Sequence, residues 1–270
     1  MNKIITETTE YLEFRTFKNR KRIKHFISTR KGGISSSPYD GMNISFETKD
    51  TSANVAMNRI ILSEAVEIPL DNFVMQNQVH GNEVVVITSK DKGKGVFSHK
   101  DVVGNCDGMI TNEIGICLFL FGADCVPILF YDPIKQVIGA AHSGWQGTVK
   151  KIAKSVVTKM TETYNSNPKD IIVGIGPSIS MKNYEVGNNV TEAVLAAFGT
   201  TNGFMQLNEK TGKMHFDMWT TCKKTLIKAG VLENNIEISE LCTFENKELF
   251  FSARRDEPSG RFGAGIMLFE

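Results

Sequence analysis

Little in this sequence points toward a membrane, a polyanion or an oxidising compartment. No apolar run among the 270 residues approaches the roughly 20 that a bilayer-spanning helix needs. Residues 1–17 carry Glu7, Glu10 and Glu13 and lack the apolar core of a secretory signal, so no leader and a cytoplasmic location are expected. Charge is almost balanced: 31 Lys and Arg against 30 Asp and Glu leave +1, which offers no footing to nucleic acid or an anionic membrane. Cysteine is sparse and odd in number, five at irregular spacing, which argues against a disulfide framework and for reduced thiols. No linker, composition break or internal repeat divides the chain, so one domain over residues 1–270 is expected.

What is present centres on one stretch, Gly122-Ala123-Asp124-Cys125-Val126-Pro127 and the apolar run to Tyr131, then Asp132-Pro133-Ile134-Lys135, then 136–147. Asp and Pro suit the first two positions of a tight reversal, so this reads as an antiparallel hairpin. A turn centred between Pro133 and Ile134 sets Tyr131 opposite Gln136 and Cys125 opposite His142. Directly opposed residues share a face with Cβ atoms about 4.5–5.5 Å apart, which brings a thiol to an imidazole.

Around the hairpin, strands are expected within 11–30 on either side of a basic turn at 18–24, and at 73–79, 83–88, 109–111, 116–121, 171–175, 236–238, 249–252 and 263–268. Helices are expected at 53–66, capped by Thr51 or Ser52, and at 148–164, 190–198 and 218–229, the last ended by Gly230. Val55, Ile60, Leu62 and Val66 form part of the first helix's apolar face, with Arg59 projecting from its middle. Residues 89–105, rich in lysine and glycine, form a loop. The helix after Trp145 is expected to aim its first amides back at His142 and so to favour an anion. Strands and helices mix without a strict βαβ rhythm, giving an α/β or α+β fold with a mixed sheet.

Cys125 with His142 supports two chemistries: a thiolate nucleophile with its base, or two ligands of a zinc ion that needs a third ligand and an open position. His80, at a bend before Gly81, is the best third ligand; His25 and His215 lack such a context, and His99 is an exposed loop residue. Asp124 either orients a ligand or moves a proton, or else points away along the strand.

At this level the chain resembles the YfiH/YlmD family, the bacterial branch of the group that includes the mammalian laccase-domain protein. The resemblance rests on His80-Gly81-Asn82-Glu83-Val84, Asp107-Gly108, Ala123-Asp124-Cys125-Val126-Pro127, His142-Ser143-Gly144-Trp145 and Ile175-Gly176-Pro177-Ser178-Ile179. Tyr184-Glu185-Val186, Cys242-Thr243, Ser252-Ala253-Arg254-Arg255-Asp256, Gly260-Arg261, Asn43-Ile44-Ser45, Asp50 and Asn58-Arg59 extend it. It implies an α/β fold and a zinc site of His80, Cys125 and His142, which copper can also occupy in vitro. It further implies phosphorolysis of purine nucleosides, methylthioadenosine among them, and deamination of adenosine, by a monomer or weak homodimer. Where the family reads Gly-Trp-Arg-Gly this chain has Gln146, and Ala253 replaces a commoner tyrosine. Arg59, Arg254, Arg255 and Arg261 are then the candidates for phosphate, Arg59 foremost, with Asn43 and Gln78 completing the substrate-binding set.

The family has also been called a polyphenol oxidase, but five histidines argue against several copper centres that lean on imidazole. Two other readings stay open: a Cys125/His142 hydrolase acting on peptidoglycan precursors, and a metal-binding protein without catalysis.

Overall fold

Strict alternation along a few apolar strands builds several cores at once. The structure, a computed structural model, describes residues 1–18 and 20–270. One six-stranded sheet contains, in spatial order, β1 (Asn2–Ile5), β2 (Glu10–Glu13), β3 (Ile23–Ser28), β15 (Phe262–Leu268), β7 (Cys117–Gly122) and β4 (Phe73–Val74). The second runs β14 (Ile236–Ile238), β10 (Ile172–Ile175), β8 (Val126–Asp132), β9 (Val137–Ser143), β6 (Gly108–Thr111) and β5 (Val84–Val86). Along β7, Leu118 and Leu120 enter the core between the sheets, while Cys117 and Phe119 face the opposite way, toward Leu62 of α1 (Ser52–Ala65) and Val66 just after it. Along β8, Leu129 and Tyr131 join the inter-sheet core, and Val126, Ile128 and Phe130 face the helices beyond. Those are α3 (Ile152–Tyr164), α4 (Asn188–Phe198) and α5 (Met218–Lys228), which contribute Val156, Val194 and Leu226. The result is four layers, helix, sheet, sheet and helices, an α/β fold with mixed sheets as the sequence leads one to expect.

A small three-stranded sheet, in spatial order β11 (Glu185–Val186), β13 (Lys213–Phe216) and β12 (Met205–Asn208), had no clear signal in the sequence. Residues 249–252 are not a strand, and the basic turn at 18–24 includes Asn19, which lies outside the described residues. On α1, capped by the Thr51 side chain, Val55 and Leu62 are buried, but Ile60 is exposed and Arg59 is not.

Two corrections bear on the site. In the β8–β9 hairpin Tyr131 pairs with Ile138 and Pro127 with His142, two residues away from the expected register. Asp132 pairs with Val137, so the reversal holds residues 133–136. Asp132 Oδ1 accepts the amides of Ile134 and Lys135 at 2.8 and 3.0 Å, and Gln136 completes the loop at φ 53°. A shift by an even number preserves the face on which each side chain emerges, so Cys125, just ahead of β8, stays on the His142 side. The helix expected at 148–164 is two helices, α2 (Trp145–Val149) and α3, broken at Lys151, which adopts φ 64°. Behind His142 there is therefore one short turn of helix rather than a long dipole.

Candidate metal centre

Three segments that end or bend supply the site. His80 follows β4 in an extended stretch and takes φ 57°; Cys125 sits in the bend between β7 and β8; His142 stands near the end of β9. Their ligand atoms all lie within 4.8 Å of one another, and the two imidazoles meet edge to face at 4.9 Å. Tetrahedral zinc bonds of about 2.0–2.3 Å place ligand atoms about 3.5 Å apart, so small side-chain movements suffice to close these three on an ion. Among the described residues this is the one group of three such side chains that meets.

Asp107, fully buried at the start of β6, organises the trio. Its carboxylate accepts the amides of Val79, His80 and Gly81 at 3.2, 3.0 and 2.5 Å and lies 2.8 Å from His142 Nδ1. Burial pushes this carboxyl up, but the bonds from His142 and the amides outweigh it and keep it ionised. Nδ1 of His142 faces Asp107, which leaves Nε2 as the nitrogen able to bind an ion, an outer-sphere arrangement common at metal sites. Burial likewise pushes the Cys125 thiol up, and the charge of His142 with hydrogen bonds from both histidines overrides it, so the thiol is held well below its ordinary range. His142 is correspondingly raised, as the Cys125 thiolate and Asp107 outweigh its burial. Gly144 completes the cradle: a Cβ there would collide with His80 Nδ1 and stand 3.1 Å from Cys125 Sγ.

The other expected residues divide. Asp124, at φ 86°, accepts Thr243 Oγ1 at 2.6 Å and the Arg254 amide at 2.7 Å, so both its oxygens tie down neighbouring loops. Gln78 bonds the backbone of Phe121 through both ends of its amide, at 3.0 and 2.8 Å, fastening the His80 segment to β7. Asn43 is buried among Thr48, Asp50 and the Arg261 amide. Arg59, expected to project from α1, is 4% exposed. It donates to the carbonyls of Ile44, Gly95 and Val96 and stacks 4.3 Å from the Phe46 centroid. Burial pulls it down to about 9, with Glu47 countering, so it stays charged at neutral pH. Arg255 is held by the carbonyls of Thr243, Phe244 and Phe250 and by Asp256, and Arg261 by those of Ser259 and Gly260. Arg254 is exposed, with its guanidinium 5.1 Å from the Tyr184 ring and one bond to Glu185 O.

Asp107, Gly144 and Tyr184 had no role assigned from sequence. Burial first, then the nearby Cys125 charge, pushes the Tyr184 phenol up to about 12, so it is a neutral donor beside the trio. Asp107 was detectable in principle, because three consecutive amides at a left-handed bend demand an acceptor.

The family described as multi-copper polyphenol oxidoreductase laccase matches residues 24–269. The purine nucleoside phosphorylase YlmD of Bacillus subtilis is 36% identical over 244 residues, 90% of this chain and 87% of that protein. An adenosine deaminase from an unidentified prokaryote is 33% identical over 250 residues, 92% of this chain and 95% of its own. The crystal structure of YlmD from Geobacillus stearothermophilus superposes with a TM-score of 0.92 at 32% identity, covering 98% of both chains. A sequence match over almost the whole length, joined to the same fold, means that the chain belongs to this laccase-like family of YfiH and YlmD proteins.

Proposed function

We propose that the chain is a zinc-dependent purine nucleoside enzyme of the cytoplasm. On this reading it cleaves adenosine, inosine and methylthioadenosine with phosphate and deaminates adenosine to inosine. The meeting of His80, Cys125 and His142 over Asp107 carries the reading, and the phosphorylase and deaminase names of its relatives support the reaction classes. Two imidazoles and one thiolate suit zinc, which with an open position lowers the pKa of bound water to about 7. The remaining histidines argue against further copper centres: His25 Nε2 accepts the Phe14 amide at 2.8 Å, and His215 Nδ1 lies 2.8 Å from Met181 O.

The chain's own residues then do the following. Asp107 fixes the His142 tautomer, Gly144 leaves room for the ligands, and Tyr184 offers a neutral hydroxyl at the rim. Phosphate needs a cation, and Arg254 is the exposed one of the four candidate arginines, with a single bond from its guanidinium to a backbone carbonyl. Its amide is anchored on Asp124, next to Cys125, so it flanks the trio.

Metal quantitation with a nucleoside assay tests this. One zinc per chain is expected, with adenine released only when phosphate is present and inosine formed with or without it. Arg254→Gln should raise the KM for phosphate about tenfold, the worth of one charge-assisted bond, and leave deamination unchanged. Fully active protein that retains no metal after chelation would favour the second reading, a cysteine hydrolase, for which Cys125, His142 and Asp107 have the triad order.

A further inference from the structure

With a net charge of +1, any local excess of one sign requires explanation. Such an excess lies between α3, α5 and the end of α4. Lys151, Lys154, Lys224 and Lys228 surround a cavity of about 270 Å3 whose lining includes Phe198 and Phe204 and no carboxylate. Other lysines find acids, as Lys182 does with Glu245, Lys213 with Glu185 and Lys223 with Glu233. Among the described residues none of these four is in an ion pair. Lys151 and Lys154 stand one helical turn apart, as do Lys224 and Lys228, spacings at which like charges repel.

Two of the ammonium groups are held in place. Lys151 Nζ donates to Ala197 O at 3.0 Å and sits 5.2 Å from the Phe198 centroid. Lys224 Nζ donates to Gly203 O at 2.8 Å and sits 4.7 Å from that of Phe204. The two rings stack on each other at 4.7 Å, so the pair is capped at both ends by a cation. Each ammonium has three donors and has used one on a carbonyl, leaving the others for an anion. Lys151 is also the left-handed residue that breaks α2 from α3, a conformation a lysine holds only where its surroundings impose it.

We propose that this cavity binds an oligophosphate, either inorganic pyrophosphate or the phosphate tail of a nucleotide. Four uncompensated cations around so small a volume match several negative charges held close together rather than a single one. The aromatic faces are already occupied by lysines, so they offer no stacking platform to the bases of a nucleic acid strand. None of the lining residues belongs to the metal centre, so this site stands or falls independently of the reaction assigned there.

Isothermal titration calorimetry of the zinc-loaded protein with pyrophosphate, ADP and adenosine tests the proposal. Pyrophosphate and ADP should both bind, and Lys154→Gln with Lys228→Gln, both exposed positions, should weaken each at least about tenfold. A control removing two exposed lysines elsewhere, Lys135→Gln with Lys169→Gln, should leave affinity unchanged, and adenosine binding should be the same in all three proteins. Tighter binding of ADP than of pyrophosphate would identify the nucleotide tail as the ligand, and the reverse the inorganic anion. Absence of binding by both, or equal weakening in the control, would overturn the site. Chelation of zinc by pyrophosphate would be insensitive to Lys154 and Lys228 and would count against it.

Discussion

Gly144 separates two roles that a glycine can have. Its φ of −72° is one that any residue adopts, so no backbone strain requires a glycine. What an alanine would meet is His80 Nδ1 and Cys125 Sγ, atoms of two of the three side chains that converge there. Gly144→Ala should therefore fold with an unchanged melting temperature and yet copurify with less than about a tenth of the parent's zinc, because one methyl group sits where ligands must converge. Elemental analysis beside a thermal melt checks this, and normal zinc content would mean that His80 is not a ligand. Arg59 and Asn43 illustrate the opposite case. Both carry the family resemblance, but each spends its side chain on the 43–50 and 95–96 segments, so their family signature is legible as architecture.

At the scale of elements, apolar strands were easy to read and registers were not. The hairpin's strands were found because runs of valine, isoleucine and phenylalanine have few other uses, whereas its register depended on whether the turn held two residues or four. The sequence Asp-Pro-Ile-Lys does not decide that; Gln136 at φ 53° does. Cys125 and His142 still meet because the error was even. The break between α2 and α3 was invisible because Lys151 has no propensity for the left-handed region, and tertiary contacts impose it. Strand β3 carries a pH test of its packing. His25, between the rings of Phe14 and Phe17, accepts the Phe14 amide, and burial pulls its pKa down from 6.5 to about 4. The folded state thus resists protonation. Above 6.5 the imidazole is neutral in both states and its stabilisation is complete; between 6.5 and about 4 only the unfolded chain takes the proton, so stability falls with pH, by about 3 kcal/mol in all. His25→Gln keeps an acceptor for Phe14 and removes the titration, so its urea midpoint should drop less than the parent's between pH 7 and pH 4.5. An equal drop would place the acid sensitivity elsewhere.

The whole molecule sorts its five thiols by layer, and that sorting is testable in one experiment. Cys117 lies in the core between the first sheet and α1, Cys106 in the core between the sheets, and Cys222 and Cys242 under the helices of the second sheet. All four are buried; burial pushes Cys106 up to about 12 and Cys222 up to about 11, and raises Cys117 further still. Only Cys125 is partly exposed, and the charge of His142 with hydrogen bonds from both imidazoles overrides burial and lowers its pKa. Reactivity follows the thiolate and its access. Iodoacetamide at pH 7 should therefore modify one cysteine per chain in chelator-stripped protein, with mass spectrometry locating the label at Cys125. It should modify none when zinc is restored and all five in denaturant. Labelling of Cys125 that is indifferent to zinc would remove the thiol from the ligand set. Labelling of a second cysteine in the folded state would mean that one of the layers opens far more readily than its packing allows.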